Sequence, residues 1–269
     1  MRWGKFLGAA VLAGVAVVGN LVAGENIVVG TTAGADEEIL AKVQELAAAE
    51  GLTVKIVPFG DYVLPNKALA EKEIDLNAFQ HLPYLQDYVA AHGDALVSIG
   101  TTYVTPMGVY SRRLKSLNDL QKGDRVALPN DATNEGRALL LLQKAGVIKL
   151  RPGAGLTATP INVTENPLNL RLIEVDAAQT ARSLDDVAVA AINTNFAVAA
   201  GLNPQADAIY LESSDSPYVN VIAARAADKD RPAYQKFLRL YQSQPVADFI
   251  LQTYKGSTLP AFPYKAAGE

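Results

Sequence analysis

Apolar positions change their period several times along the chain, and each change marks an element. Residues 27–30 are a short β-branched run, followed by the small residues of Thr31-Thr32-Ala33-Gly34-Ala35, which read as a loop. Beyond it Ile39, Leu40, Val43, Leu46 and Ala47 recur on one face of a helix. Asp36 is the expected N-cap, Glu37 and Glu38 suit the positive end of the helix dipole, and Gly51 ends the helix. Residues 52–57 form the next strand. This is a βαβ unit, whose first loop lies at the ligand-binding edge of a parallel sheet.

A second unit of the same kind follows. Ser116 caps a short helix through Leu120, Gly123 stops it, and residues 125–128 form a strand. Pro129-Asn130-Asp131-Ala132-Thr133-Asn134 then turns into a helix running to about Lys144, with Gly146 just past its end. Residues 171–175 and 187–192 are further strands, with a helix expected around 180–184. Two α/β units with no low-complexity linker point to two lobes that the chain crosses more than once. Extended stretches at 100–110 and 206–221 are the expected crossings. The division is 24–105 plus 208–269 for lobe 1 and 106–207 for lobe 2.

The first residues set the compartment. Arg2 and Lys5 precede an uncharged stretch from 6 to 19, the basic and apolar regions expected of an export signal covering residues 1–23, with a retained anchor as the alternative. At 269 residues, 49% apolar and 19% charged, the chain is globular. Its net charge of −4 gives no reason to expect nucleic acid. Zero cysteine removes disulfides, thiolate metal sites and cysteine nucleophiles, and two histidines, His81 and His92, leave little for an imidazole metal site. No nucleophile elbow, zinc-protease helix, phosphate-binding loop or dinucleotide fingerprint occurs. The expectation is a protein with no metal or cofactor that is not an enzyme.

Three segments carry binding chemistry. Asn77-Ala78-Phe79-Gln80-His81-Leu82-Pro83-Tyr84 packs aromatics, an imidazole and amides into a strand end before a helix. It is equally readable as core Phe79 and turn His81. In the 129–137 turn, Arg137 stands in what reads as the first helical turn, where the helix dipole disfavours a cation. Either an anion shares the site, held by the guanidinium fork, or Arg137 pairs with an acidic side chain of the protein. Asn193 and Asn220 close strand or loop ends, and Tyr62 and Tyr103 are aromatic candidates for the same region.

At these segments the sequence resembles the methionine-binding proteins of bacterial ABC importers, a family that includes the inner-membrane lipoprotein-28 type. The most specific stretches are Asp61-Tyr62-Val63-Leu64-Pro65-Asn66, residues 77–84, Pro129-Asn130-Asp131 with Thr133-Asn134 and Gly136-Arg137, Ala181-Arg182-Ser183-Leu184-Asp185-Asp186, and Ser216-Pro217-Tyr218-Val219-Asn220. The resemblance implies a two-lobed periplasmic-binding-protein fold, type II-like, with the ligand in the interlobe cleft. It implies that Arg137 holds a carboxylate and that Asn134, Asn193 and Asn220 fix carboxylate and ammonium. Tyr62, Phe79, His81, Tyr84 and Tyr103 would surround a thioether, which suits aromatic edges. The implied partners are methionine, in L or D form, and an inner-membrane ABC permease and ATPase, with the binding protein a periplasmic monomer. Methionine-containing dipeptides, another apolar amino acid, or a surface role outside transport are the alternatives. Two departures stand out. Asn20 follows Val17-Val18-Gly19 where lipoprotein relatives carry the anchoring cysteine, so no lipid anchor is expected, and Leu82 stands where relatives often carry Lys.

Overall fold

The computed structural model describes residues 25–265. Residues 1–23, where an export signal is expected, and with them Asn20, lie outside the described residues. β1 (Glu25–Thr32), α1 (Ala35–Ala49) and β2 (Leu52–Phe59) form the expected parallel unit, with Val29 opposite Ile56. α2 (Leu64–Ala70) leads into β3 (Leu76–His81), which is buried along its whole length. α3 (Leu82–His92) and β4 (Leu96–Val104) follow.

The chain then passes through residues 105–107 into a second sheet. Its elements are β5 (Gly108–Tyr110), β6 (Arg125–Pro129), α4 (Ala132–Lys144), β7 (Lys149–Leu150), β8 (Val163–Glu165) and β9 (Arg171–Val175). β10 (Val189–Ile192), α5 (Thr194–Ala199), α6 (Pro204–Asp207) and β11 (Ala208–Leu211) complete that part. The return leads to β12 (Val219–Arg225), α7 (Pro232–Tyr241), α8 (Gln244–Tyr254) and β13 (Leu259–Pro260).

The six-stranded sheet has the order β13-β4-β12-β3-β1-β2 and the five-stranded sheet β11-β5-β10-β6-β9, while β7 and β8 form a small ribbon. β11 is antiparallel to β5, with Tyr210 opposite Val109 and Leu211 opposite Gly108. The chain therefore leaves the second sheet after Leu211, not at residue 208 as read from the sequence. β11 is a short, half-buried edge strand whose place is set by its partner rather than by its own pattern.

Both sheets bury both faces, and alternate residues of one strand serve opposite cores. On β12, Ile222 and Ala224 face a cluster with α1, α7 and α8 that includes Ile39, Phe237 and Ile250, whereas Val221 and Ala223 face Leu69 and Leu85. On β10, Val189 and Ala191 pack with Leu139 and Leu142 of α4, while Ala190 and Ile192 pack with Leu184 and Phe196.

Two local expectations change. α1 starts one residue before Asp36, and Gly34 (φ 93°) is its N-cap. A Cβ at Gly34 would stand 2.8 Å from the carbonyl oxygen of Asn195, so the turn needs glycine for its backbone and for close approach to the other sheet. The helix expected at 180–184 is instead a pair of 3₁₀ turns, Ala177–Gln179 and Arg182–Asp185. The Thr180 and Ser183 hydroxyls donate to the carbonyls of Ala177 and Thr180, each at 2.7 Å, competing for acceptors a continuous helix would use. No helix among the described residues is long and apolar enough to cross a membrane.

Candidate functional site

A cavity lies between the two sheets, lined from one side by Asp36, Tyr62, Phe79, Gln80, His81, Tyr84 and Asn220. Thr105, Asn134, Arg137, Asn193 and Asn195 line it from the crossing and the second sheet. Its walls are the C-terminal ends of β3 and β10 and the N-terminal turns of α3 and α4, the edge at which open α/β sheets bind ligands. All of the sequence-derived candidates meet there except Tyr103. Tyr103 is buried in the first core, and its hydroxyl donates to Asp36 Oδ1 behind the cavity wall. Its side chain packs on the face of the sheet covered by α1, α7 and α8, in the cluster that includes Ile39, Phe237 and Tyr241.

α4 is capped by Asp131, whose Oδ1 accepts the Asn134 backbone N–H at 3.0 Å. The Asn134 side chain donates to both Asp131 oxygens at 2.9 and 3.1 Å, which orients its own oxygen toward the cavity. That oxygen accepts from Asn193 Nδ2 at 2.7 Å and meets His81 Nε2 at 3.2 Å. His81 Nδ1 accepts the Tyr84 backbone N–H at 3.1 Å, so Nε2 carries the proton. Burial, reinforced by the Arg137 charge, pulls the His81 pKa from 6.5 down to about 3, and the ring is neutral.

Arg137 lies one turn further into the helix than the sequence suggests, since α4 begins at Ala132. Its Nε donates to Glu212 Oε1 and Oε2 at 3.2 and 3.1 Å, and its Nη2 donates to Glu212 Oε2 and, at 2.7 Å, to the Thr105 carbonyl. The acidic-partner reading of Arg137 therefore describes this side of the fork. Nη1 makes no hydrogen bond among the described residues, and the guanidinium carbon stands 4.4 Å from the centre of the Tyr218 ring. Glu212 also accepts the Met107 backbone N–H at 3.0 Å, so one carboxylate ties Arg137 to both passages of the chain.

The aromatic wall is continuous. Tyr62 lies 5.8 Å from Phe79 and 6.0 Å from Tyr84, and it reaches Phe196 of α5 at 4.8 Å. The Tyr62 hydroxyl donates to Asn195 Oδ1 at 2.6 Å, and Tyr84 donates to the Tyr62 carbonyl at 2.8 Å. Behind β3, Asn66, Asn77 and Gln80 satisfy one another, with Gln80 Nε2 donating to Asn66 Oδ1 at 2.6 Å and to Asn77 Oδ1 at 2.8 Å. One buried acceptor in the cavity wall has no donor among the described residues, namely Asn193 Oδ1.

Sequence reasoning missed Glu212, Asn195, Gln80, Thr105 and Tyr218, and took Asp36 for a cap. The Asn193-Thr194-Asn195 spacing and the 77–84 segment already held a signal for Asn195 and Gln80. Nothing local distinguishes Glu212, which lies 75 residues from Arg137. Among the described residues no group of three or more acidic or histidine side chains could hold a metal ion.

Comparison with known proteins agrees with this architecture along nearly the whole chain. The sequence pattern of the NlpA lipoprotein family matches residues 27–262. The D-methionine-binding lipoprotein MetQ of Yersinia pestis is 48% identical over 237 residues, covering 87% of this chain and 88% of the relative. A nutrient-binding protein from Burkholderia cenocepacia, solved with methionine bound, is 52% identical, with a TM-score of 0.86 over 88% of this chain and 100% of that one. A periplasmic substrate-binding protein of an ABC transporter from Coxiella burnetii is 43% identical, with a TM-score of 0.84 over 87% of this chain and 100% of that one. The Yersinia relative is named a lipoprotein, so the expectation of an unanchored protein drawn from Asn20 finds no support there. With a family pattern spanning both sheets and close relatives over the same residues, the chain belongs to the NlpA lipoprotein family.

Proposed function

We propose that the cavity binds methionine as a zwitterion and that the protein presents it, outside the cytoplasm, to an ABC importer. The observation that carries this reading is the convergence of three unlike groups in one cavity. Arg137 Nη1 offers a donor for a carboxylate, Asn193 Oδ1 and the Asn220 amide offer acceptors for an ammonium, and Tyr62, Phe79 and Tyr84 form an aromatic wall suited to a thioether. Identity of 52% to a methionine-bound protein supports the ligand class. Arg137 is paired with Glu212 and His81 is neutral, so neither presents an unbalanced cation to the ligand.

The lining comes from both sheets, so a ligand that touches both favours the closed arrangement over an open one. The same closed form is what a permease would recognise. The site performs no chemistry on its ligand; it excludes water and satisfies two opposite charges.

A thermal-shift panel of L- and D-methionine, methionine dipeptides and the other amino acids tests the reading. At a ligand concentration about 100 times the Kd, binding adds about 2.7 kcal/mol, a rise of about 5–10 °C for a chain of this size. Methionine in at least one form is expected to give this shift. No shift with any member of the panel refutes the proposal.

A further inference from the structure

Asp36 lines the cavity with a carboxyl group for which zwitterion capture, as described, has no use. Its surroundings are specific. Thr32 Oγ1 donates to Oδ2 at 2.5 Å, and the Tyr103 hydroxyl donates to Oδ1. Thr32 Oγ1 in turn accepts from Asn195 Nδ2 at 3.1 Å, so its proton is committed to Asp36. Tyr103 also lies within hydrogen-bonding reach of Asn220, which links Asp36 to an amide of the cavity wall. Two hydroxyl groups within hydrogen-bonding distance of one carboxyl group are an arrangement that suits an ionised carboxylate.

A cation to accompany that charge is missing among the described residues. No ion pair includes Asp36. The titratable groups that face it are Tyr62, Tyr103 of β4, Tyr241 of α7 and Tyr254 of α8, all held neutral by burial, and Glu38 of its own helix bonds to Tyr254. Across the cavity Arg137 is engaged with Glu212 and His81 is neutral. Burial accordingly pushes Asp36 up to about 7 against the opposing pull of Thr32 and Tyr103. The opposite wall holds Asn193 Oδ1, buried and without a donor.

We propose that Asp36 is the counter-charge for the ligand's ammonium group and thereby selects ligands with a free amine. In the unliganded cavity near neutral pH, part of the population carries a proton on Asp36. On capture that O–H bond breaks, the proton leaves to solvent, and the carboxylate remains opposite the ammonium; no other bond changes. The first-strand loop is then a specificity element. This rests on the reading of the cavity as an amino-acid site.

Calorimetry of L-methionine binding to the unmutated protein, in phosphate and in Tris, reads the proton directly. Release of about half a proton per ligand is expected at about pH 7, with affinity at least about tenfold weaker at pH 5.5 than at pH 8. Asp36→Asn is expected to lose at least about tenfold in affinity and to show no buffer-dependent heat. Its preference for methionine over 4-(methylthio)butanoate, which lacks the amine, is expected to shrink. Methionine binding with no proton released, or an Asp36→Asn variant that binds like the parent, overturns the role of Asp36 and leaves the amino-acid site standing. Failure of the unmutated protein to bind any amino acid overturns both. The proton measurement needs no variant, so misfolding of Asp36→Asn does not shelter the proposal.

Discussion

Truncating Glu212 to alanine removes the carboxylate that holds Nε and Nη2 of Arg137. The two side chains are 13% and 3% exposed, so the pair is screened little by solvent. In the variant Arg137 keeps the Thr105 carbonyl, but its charge loses its only ion-pair partner among the described residues, and the Met107 N–H loses the acceptor it had at 3.0 Å. Removing one member of a buried pair costs about 3–5 kcal/mol, because a desolvated charge is left behind. At about 2–4 °C per kcal/mol for chains of this size, the ligand-free protein should melt about 6–20 °C lower. Replacing both residues by apolar ones, Arg137→Met with Glu212→Leu, should cost clearly less than the sum of the single changes, since no charge is stranded. The one tryptophan, Trp3, lies outside the described residues, so far-UV circular dichroism is the suitable probe of melting. A Glu212→Ala melting point within about 2 °C of the parent would refute the argument, as would a double variant as unstable as the two losses added.

Two further outcomes follow from particular side chains. Between its ordinary pKa of 6.5 and its folded value of about 3, His81 is protonated in the unfolded chain and neutral in the folded one. The unfolded state binds the extra proton, so stability falls as pH drops through that interval, and His81→Gln should flatten the fall when urea midpoints are measured against pH. Gly136→Ala places a Cβ 2.1 Å from the Leu156 carbonyl oxygen and 2.9 Å from the Ala158 nitrogen, both backbone atoms that cannot turn aside. It should lower stability by about 1–3 kcal/mol or more in denaturant titration, and a neutral result would show that the 156–158 loop yields freely.

The elements were legible wherever one residue's neighbours in sequence are also its neighbours in space. The α1 face, the Asp131 turn into α4 and the buried run of β10 each follow from local spacing. Asp36 misled because an acid after a small-residue loop is the ordinary mark of a helix start, and only the left-handed turn at Gly34 moves the start ahead of it. The 3₁₀ turns near Thr180 misled for a related reason, since side-chain hydroxyls compete with the backbone only once the fold has brought the turn together.

On its own the sequence determined the alternation of strands and helices, the poverty of catalytic groups and the segments that supply the cavity wall. These depend on composition and on spacings of a few residues, which a chain carries with it before it folds. The tertiary structure alone decided that Glu212 holds Arg137 across 75 residues, that Tyr103 turns from the cavity to Asp36 across 67, and that Asn195 joins Thr32 across 163. Those partners are chosen by burial. Once water is excluded, each polar group must find whichever complementary group the packing of the two sheets brings within reach, and nothing in the local sequence says which one that is.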